Sequence, residues 1–239
     1  MKRLLLLPYA AIIFLLSGCS VLKNSGLIPT ELEMALGLKD ALSQGLFKGF
    51  DAFANPQGNP LVRFAFPGEA EKIEKTLRDL GFDKAINQVT GKFTRAMSSA
   101  VGVAKPLFFD AVKKMTIKDA ASILVTDNTH AATDYFKQAM KPGLMTAFRP
   151  IVDSTIKMEK ADEEWKGITK IYNSIPLINK PLESNLTDFV SARVIDLMFL
   201  MVANEEQQIR SKYELRKTDM MRKVFTWAEG EIKKRFNKN

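Results

Sequence analysis

One cysteine and one histidine bound the chemistry open to this chain of 239 residues. A single thiol excludes an internal disulfide. A single imidazole excludes zinc sites and hydrolytic centres built from several His or Cys ligands. Nucleophilic catalysis needs a base beside a Ser, Thr or Cys. His130, in Asp127-Asn128-Thr129-His130, reads instead as an exposed residue in the first turn of a helix. Gly143-Leu144-Met145 has neither the spacing nor the Lys-Ser pair of a phosphate-binding loop. No cofactor or metal motif is expected.

Carboxylates are the remaining chemical resource, since a Glu acid can cleave glycans. Glu183-Ser184 is similar to the Glu-Ser of lytic transglycosylases, but there a Gly-Leu-Met-Gln stretch follows. Here Gly143-Leu144-Met145-Thr146 precedes the pair and lacks the Gln. Glu205 and Glu206 are neighbours, so on a helix they point about 100° apart and read as solvated charge at a helix end. Arg193 and Asp196 differ: three residues apart, they share a face inside the most apolar stretch of the chain. Unpaired charge there costs several kcal/mol, so they are expected to pair with each other or with Arg63, Arg149 or Tyr135. These five residues, Arg63, Tyr135, Arg149, Arg193 and Asp196, are the candidate pocket, with a structural ion-pair network as the plainer alternative.

Cys19 has its own context. Met1-Lys2-Arg3 is a short positive segment, and Leu4 to Leu16 is an apolar run broken only by Pro8, too short to span a bilayer. The run leads into Leu16-Ser17-Gly18-Cys19, which resembles the bacterial lipobox. That resemblance implies a diacylglyceryl thioether on Cys19, cleavage before it, and acylation of the new amine. An ordinary signal peptide with a chance cysteine is the alternative. Two or more acyl chains anchor stably, each buried methylene contributing about 0.8 kcal/mol. Ser20, rather than Asp, follows the cysteine, which by resemblance to enterobacterial sorting implies the outer membrane, facing the periplasm. Residues 1–18 are thus expected to be a signal peptide, 19–29 a lipidated tether, and 30–239 one domain.

The elements that would position these groups are helical. Apolar residues make up 46% of the chain, enough for a packed core. Thr30-Glu31-Leu32-Glu33 matches a capping box, predicting a helix towards Phe53 with Leu32, Ala35, Leu36, Leu42 and Leu46 on its apolar side. Leu61 to Phe66 is the one extended segment, framed by Pro60 and Pro67. A helix then carries Ile73, Leu77 and Leu80 and ends at Gly81. The next runs from Phe82, loosens at Ser98 to Gly102 and resumes near Pro106. Thr116-Ile117-Lys118-Asp119 reads as a capped start of a short helix to Val125. Another helix begins at Asp127 or Thr129 and breaks at Pro142, and a further one carries Trp165, Ile168, Ile171 and Tyr172. Phe189 to Ala203 is read as the central buried helix, emerging into water at Glu205, Glu206 and Arg210. A last helix starts at Thr218 with Met221, Phe225, Ala228, Ile232 and Phe236 at helical spacing. The expected fold is an all-α multi-helix bundle with one short extended segment at 61–66 and no substantial sheet.

Charge is uneven along this frame. The 35 basic and 27 acidic residues give +8, and losing Lys2 and Arg3 leaves +6. Arg210 to Asn239 holds ten basic and four acidic residues, so the C-terminal segment carries the whole excess. Its helix either meets anionic lipid or an envelope polymer or is a solvated amphipathic helix packed by its apolar stripe.

An ordered series of short stretches carries a wider resemblance. It includes Asn59-Pro60-Leu61-Val62-Arg63, Lys105-Pro106-Leu107-Phe108-Phe109-Asp110-Ala111, Ala132-Thr133-Asp134-Tyr135-Phe136, Phe148-Arg149-Pro150-Ile151-Val152 and Asp196-Leu197-Met198-Phe199. From about Leu32 to Phe225 the chain resembles a family of uncharacterised, mostly helical proteins of Gram-negative bacteria, described as lipoproteins or domains of unknown function. The resemblance implies fold and compartment and supplies no reaction. The basic stretch beyond Phe225 extends past it.

The resulting expectation is a non-enzymatic, lipid-anchored binding or interaction module. Its partners would be the membrane through its acyl chains and an unknown protein or a small apolar or anionic ligand, with no nucleic acid. A glycan-cleaving envelope hydrolase and a structural assembly protein are the alternatives.

Overall fold

The computed structural model describes residues 28–57, 59, 62, 69–174 and 186–237. The described residues form eight α-helices and no strand: α1 (Glu31–Ala54), α2 (Glu69–Asp79), α3 (Asp83–Lys114), α4 (Ala120–Leu124), α5 (Ala131–Met158), α6 (Ala161–Asn173), α7 (Leu186–Ser211) and α8 (Asp219–Phe236). The fold is all-α. The signal segment, Cys19, Arg63 and Glu183-Ser184 lie outside the described residues. So does the extended segment at 61–66, except for Val62, which is buried in a short 3-10 turn.

Four long helices close a ring. α7 packs on α1 and on α5, α5 on α3, and α3 back on α1, while the diagonal pairs touch little. This is the contact pattern of a four-helix bundle. Edge-to-face rings run through it, with Phe108 against Phe148 at 6.1 Å and Phe136 against Phe199 at 5.3 Å. The remaining helices attach outside: α2 to α3, α6 to α3 and α5, and α8 to α1 and α4.

Local signals explain several boundaries. Thr30 and Glu33 form the capping box that opens α1. Thr218 caps α8 by accepting from the Met221 amide. Gly81, at φ +86°, ends α2: its amide donates to Arg78 O and that of Phe82 to Leu77 O, a hydrogen-bond pair that satisfies the last carbonyls.

Other expectations are corrected. α3 runs without a break through Ser98 to Gly102 and past Pro106, and α5 runs through Pro142 and Pro150. A helical proline leaves the carbonyl four residues back without its donor. Those residues, Gly102, Gln138 and Thr146, are exposed like the prolines themselves, so the freed carbonyls fall on the solvent side of the helices. The buried partners on the opposite face, such as Ala100, Ala104, Leu144 and Phe148, keep the helices going. α4 starts only at Ala120, after Asp119 in the left-handed region at φ 53°. The Ala120 amide donates to Glu31 instead of to a local cap. On α1 the buried face carries Met34, Leu38, Leu42 and Leu46, whereas Leu32 and Leu36 face solvent.

Candidate functional site

Glu206 sits near the end of α7, where solvated charge was expected, and has no exposed surface. Its carboxylate accepts from the backbone amides of Ala132 and Thr133 at 3.0 and 2.8 Å and from the Thr133 hydroxyl at 2.7 Å. Those amides belong to the first turn of α5, whose own N-cap residue, His130, makes no side-chain cap. Helix starts leave four amides without partners and favour negative charge. Glu206 fills that role from another helix.

Arg210 stands one turn further along α7. It donates to Glu206 at 2.9 Å and to the carbonyls of Leu124 and Ile123 at 3.0 and 2.9 Å, closing the end of α4. The Glu206–Arg210 pair therefore clamps the end of α4 to the start of α5. The guanidinium of Arg210 also lies 5.6 Å from the Phe225 ring of α8.

Arg216 completes the arrangement from the turn between α7 and α8. It is almost wholly buried and donates to the carbonyls of Ile209 and Arg210, to the Thr226 hydroxyl, and to Glu229 at 3.2 Å. Lys233 also donates to Glu229, at 2.7 Å. Hydrogen bonds and charge from Lys233 first, and Arg216 second, hold the Glu229 carboxyl below its usual range despite a smaller opposing effect of burial.

Over this paired floor opens a cavity of about 670 Å³. Phe225, Ile232 and Phe236 of α8 and Leu124 of α4 supply its apolar walls. Gln207, Gln208 and Arg210 of α7, with Asp127 and Thr129 of the α4–α5 loop, supply polar groups. Lining charge is largely consumed in place, Arg210 by Glu206 and Lys233 by Glu229. A second cavity, about 510 Å³, lies between α1 and residues 217–221, with Asp40, Gln44, Phe47 and Lys217 in its wall.

Of the five residues singled out from sequence, the four that the structure describes, Tyr135, Arg149, Arg193 and Asp196, line neither cavity. Asp196 pairs with Lys141 at 2.7 Å and Lys137 at 3.2 Å, both on α5. Burial pushes its carboxyl up, but the two lysines together outweigh that and hold it below its usual range. Arg149 donates to Asp188 at 2.6 Å, and the Tyr135 hydroxyl donates to the Thr116 carbonyl at 2.8 Å. The Nε of Arg193 is buried with no hydrogen-bond partner among the described residues. Arg63 lies outside them. The structure thus distributes the described four among separate contacts. His130 faces Asp134 at 3.6 Å on the protein surface.

Among the described residues no group of His, Cys, Asp and Glu has the arrangement to hold a metal ion, and no helix is long and apolar enough to cross a membrane. Sequence reasoning missed Glu206, Arg216 and the groove. A signal for the first existed: Ile195, Phe199, Val202, Glu206 and Ile209 follow one another in steps of four and three, so Glu206 continues the buried seam.

No curated protein and no solved structure matches the chain. One family model does, over residues 29–226, so it ends inside α8 and leaves Ile232, Lys233 and Phe236 of the groove wall beyond it. The chain belongs to the family described as Protein of unknown function (DUF4197).

Proposed function

We propose that the chain is an envelope protein anchored by acyl chains on Cys19, at the outer membrane facing the periplasm. In this reading it binds an apolar or amphipathic molecule of lipid size in the groove between α7 and α8. The observation that carries the binding role is the groove itself. At about 670 Å³ it falls in the size range of small-molecule sites, roughly 300–1,000 Å³, with aromatic and aliphatic walls and polar residues contributed by α7, α8 and the α4–α5 loop. Because Glu206 and Glu229 already satisfy the nearby cations, the walls favour an apolar body over a bare anion. Gln207, Gln208 and Thr129 would then orient a polar end. The lipobox-like Leu16-Ser17-Gly18-Cys19 supports the anchor and the compartment.

The test is to purify the mature protein from its native envelope and identify bound lipid by mass spectrometry after solvent extraction. The intact mass of the same sample reports acylation of Cys19. A co-purifying lipid in the unaltered protein, lost in Ile232→Glu with thermal stability retained, is the expected result. A groove that carries no lipid and does not take up a fluorescent fatty acid rejects the binding role. An unmodified Cys19 in mature material rejects the anchor.

A further inference from the structure

α1 buries one face and leaves an apolar row on the other. Leu32 is 69% exposed, Leu36 43% and Phe47 57%, and all three fall within an arc of about 60° on the helix. Ile28, just before the helix, is 72% exposed and extends the row towards the N-terminus. The adjoining face is already committed to the bundle through Leu38, Leu42 and Leu46. The Phe47 ring lies 4.7 Å from that of Phe109 on α3 and keeps its outer side in solvent, while Leu32 and Leu36 stay open at the start of the helix.

Cations border it. Lys39, which donates to the Lys113 carbonyl, and Lys48 belong to α1 itself, Lys105 of α3 stands 5.6 Å from the Phe47 ring, and Lys217 lines the second cavity together with Phe47. Of the nearby acids, Asp40 accepts from Thr218 and Glu33 pairs with Lys223, while Asp51 is exposed at the far end of the row. An apolar row edged by lysines is the pattern of a helix lying in a membrane interface.

The chain length before the row points to the same occupant. Cys19 precedes Ile28 by nine residues, which span at most about 32 Å when fully extended. An anchored chain therefore enters the domain at the end of α1 where the row begins, within one tether length of the bilayer.

We infer that the exposed row of α1, Leu32, Leu36 and Phe47, lies against the phospholipid surface to which Cys19 tethers the chain. This rests on the anchor proposed above, and it adds a fixed orientation: α1 faces the lipid and α7 stands behind it. α4, whose first amide is held by Glu31 and whose last carbonyls are held by Arg210, joins the start of α1 to the groove. Five residues of helix rise only about 7.5 Å, so this orientation brings the groove close to the source of its ligand.

The experiment uses the mature lipidated protein in phosphatidylethanolamine–phosphatidylglycerol vesicles, with tryptophan introduced singly as Leu32→Trp, Leu36→Trp or Met158→Trp and the emission of Trp165 and Trp227, read in the unaltered protein, subtracted. Brominated acyl chains place the quencher at the depth an interfacial helix reaches, roughly 5–10 Å, and emission from positions 32 and 36 should fall by about half. Met158 is just as exposed at the far end of α5, and a tryptophan there should keep its emission. Vesicle-bound, acylated protein with unquenched tryptophan at 32 and 36 overturns the docking and leaves the anchor standing. Shielding from aqueous quencher without bromine quenching, together with dimers in sedimentation, assigns the row to a second copy and also overturns it. An unacylated Cys19, read by intact mass, overturns the anchor and the docking that rests on it.

Discussion

A carboxylate with no exposed surface in the last turns of α7 supplies α5 with the negative charge its own first turn lacks. Glu206 satisfies two amides, a hydroxyl and Arg210 at once, so its removal leaves more than one group without a partner. Glu206→Ala is expected to cost about 3–5 kcal/mol, because Arg210 then stays largely buried without its counter-charge. Glu206→Gln keeps an oxygen for the amides and should cost less, about 1–3 kcal/mol. Urea unfolding with an unchanged slope gives both values. Equal, near-zero costs for the two variants would show that the clamp contributes nothing. The sequence made the residue visible but its environment ambiguous. A Glu-Glu pair after fifteen mostly apolar residues reads as an exit into water, whereas the spacing from Ile195 through Val202 to Ile209 keeps Glu206 on the seam. Composition argued for exposure and phase for burial, and phase prevails wherever an opposing helix end needs a charge. Arg216 gave no such signal, since its four partners come together only when α8 folds back.

Helix pairing in this bundle depends on glycine at the α1–α7 and α1–α8 crossings. A Cβ at Gly45 would lie 2.8 Å from the Val202 Cα, a backbone atom that cannot turn aside, and one at Gly37 would collide with the Val224 side chain. Gly45→Ala is therefore expected to destabilise by about 1–3 kcal/mol through forced separation of the helices. Gly102, exposed in the middle of α3, leaves open space around an added methyl group, with nothing within 4 Å. There Gly102→Ala should stabilise by about 0.5–1 kcal/mol, the ordinary helix preference for alanine. Thermal melts of the two variants should move in opposite directions, and a shared direction would refute the packing argument. The same two glycines show why elements were legible and their faces were not. Capping residues and Gly81 mark ends well, so α1, α2 and α8 begin or end close to expectation. Leu42 and Leu46 suit two helical phases, one with Leu32 and Leu36 and one with Met34 and Leu38. Only the close approach at Gly37 and Gly45 selects the second. Likewise Gly102 and Pro142 weaken a helix locally, but tertiary packing on the opposite face outweighs them.

At the scale of the molecule, three cations of the basic C-terminal segment, Arg216, Lys223 and Arg235, hold α8 to the bundle. Lys223 reaches Glu33 of α1, Arg216 reaches Glu229 from the preceding turn, and Arg235 donates to the Val125 carbonyl, while Lys233 pairs with Glu229 within α8 itself. Of the apolar stripe, Met221, Phe225 and Ala228 are buried while Phe236 is exposed, so α8 packs by its first half and forms a groove wall with its second. That division was not legible in the even spacing of the stripe. It also makes attachment of α8 sensitive to acid. Glu229 and Glu33 are held below their usual range in the folded protein by the cations beside them, and Asp196, which ties α7 to α5, is held low likewise against the opposing effect of burial. A carboxyl depressed by folding stabilises above its unfolded pKa, near 4.3 for Glu and 3.9 for Asp, and that contribution disappears as pH falls through the folded value. Stability should therefore be level in this respect from neutral pH to about 5 and decline below about 4. Trp227, half-buried on α8, reports release of that helix by fluorescence. Glu229→Gln removes one of these contributions at neutral pH, so its unfolding curve should lie below that of the unaltered protein at pH 7 and converge with it as both are acidified. A gap that persists unchanged to pH 2 would mean that Glu229 contributes through packing alone, and the electrostatic account of how α8 is fastened would have to be abandoned.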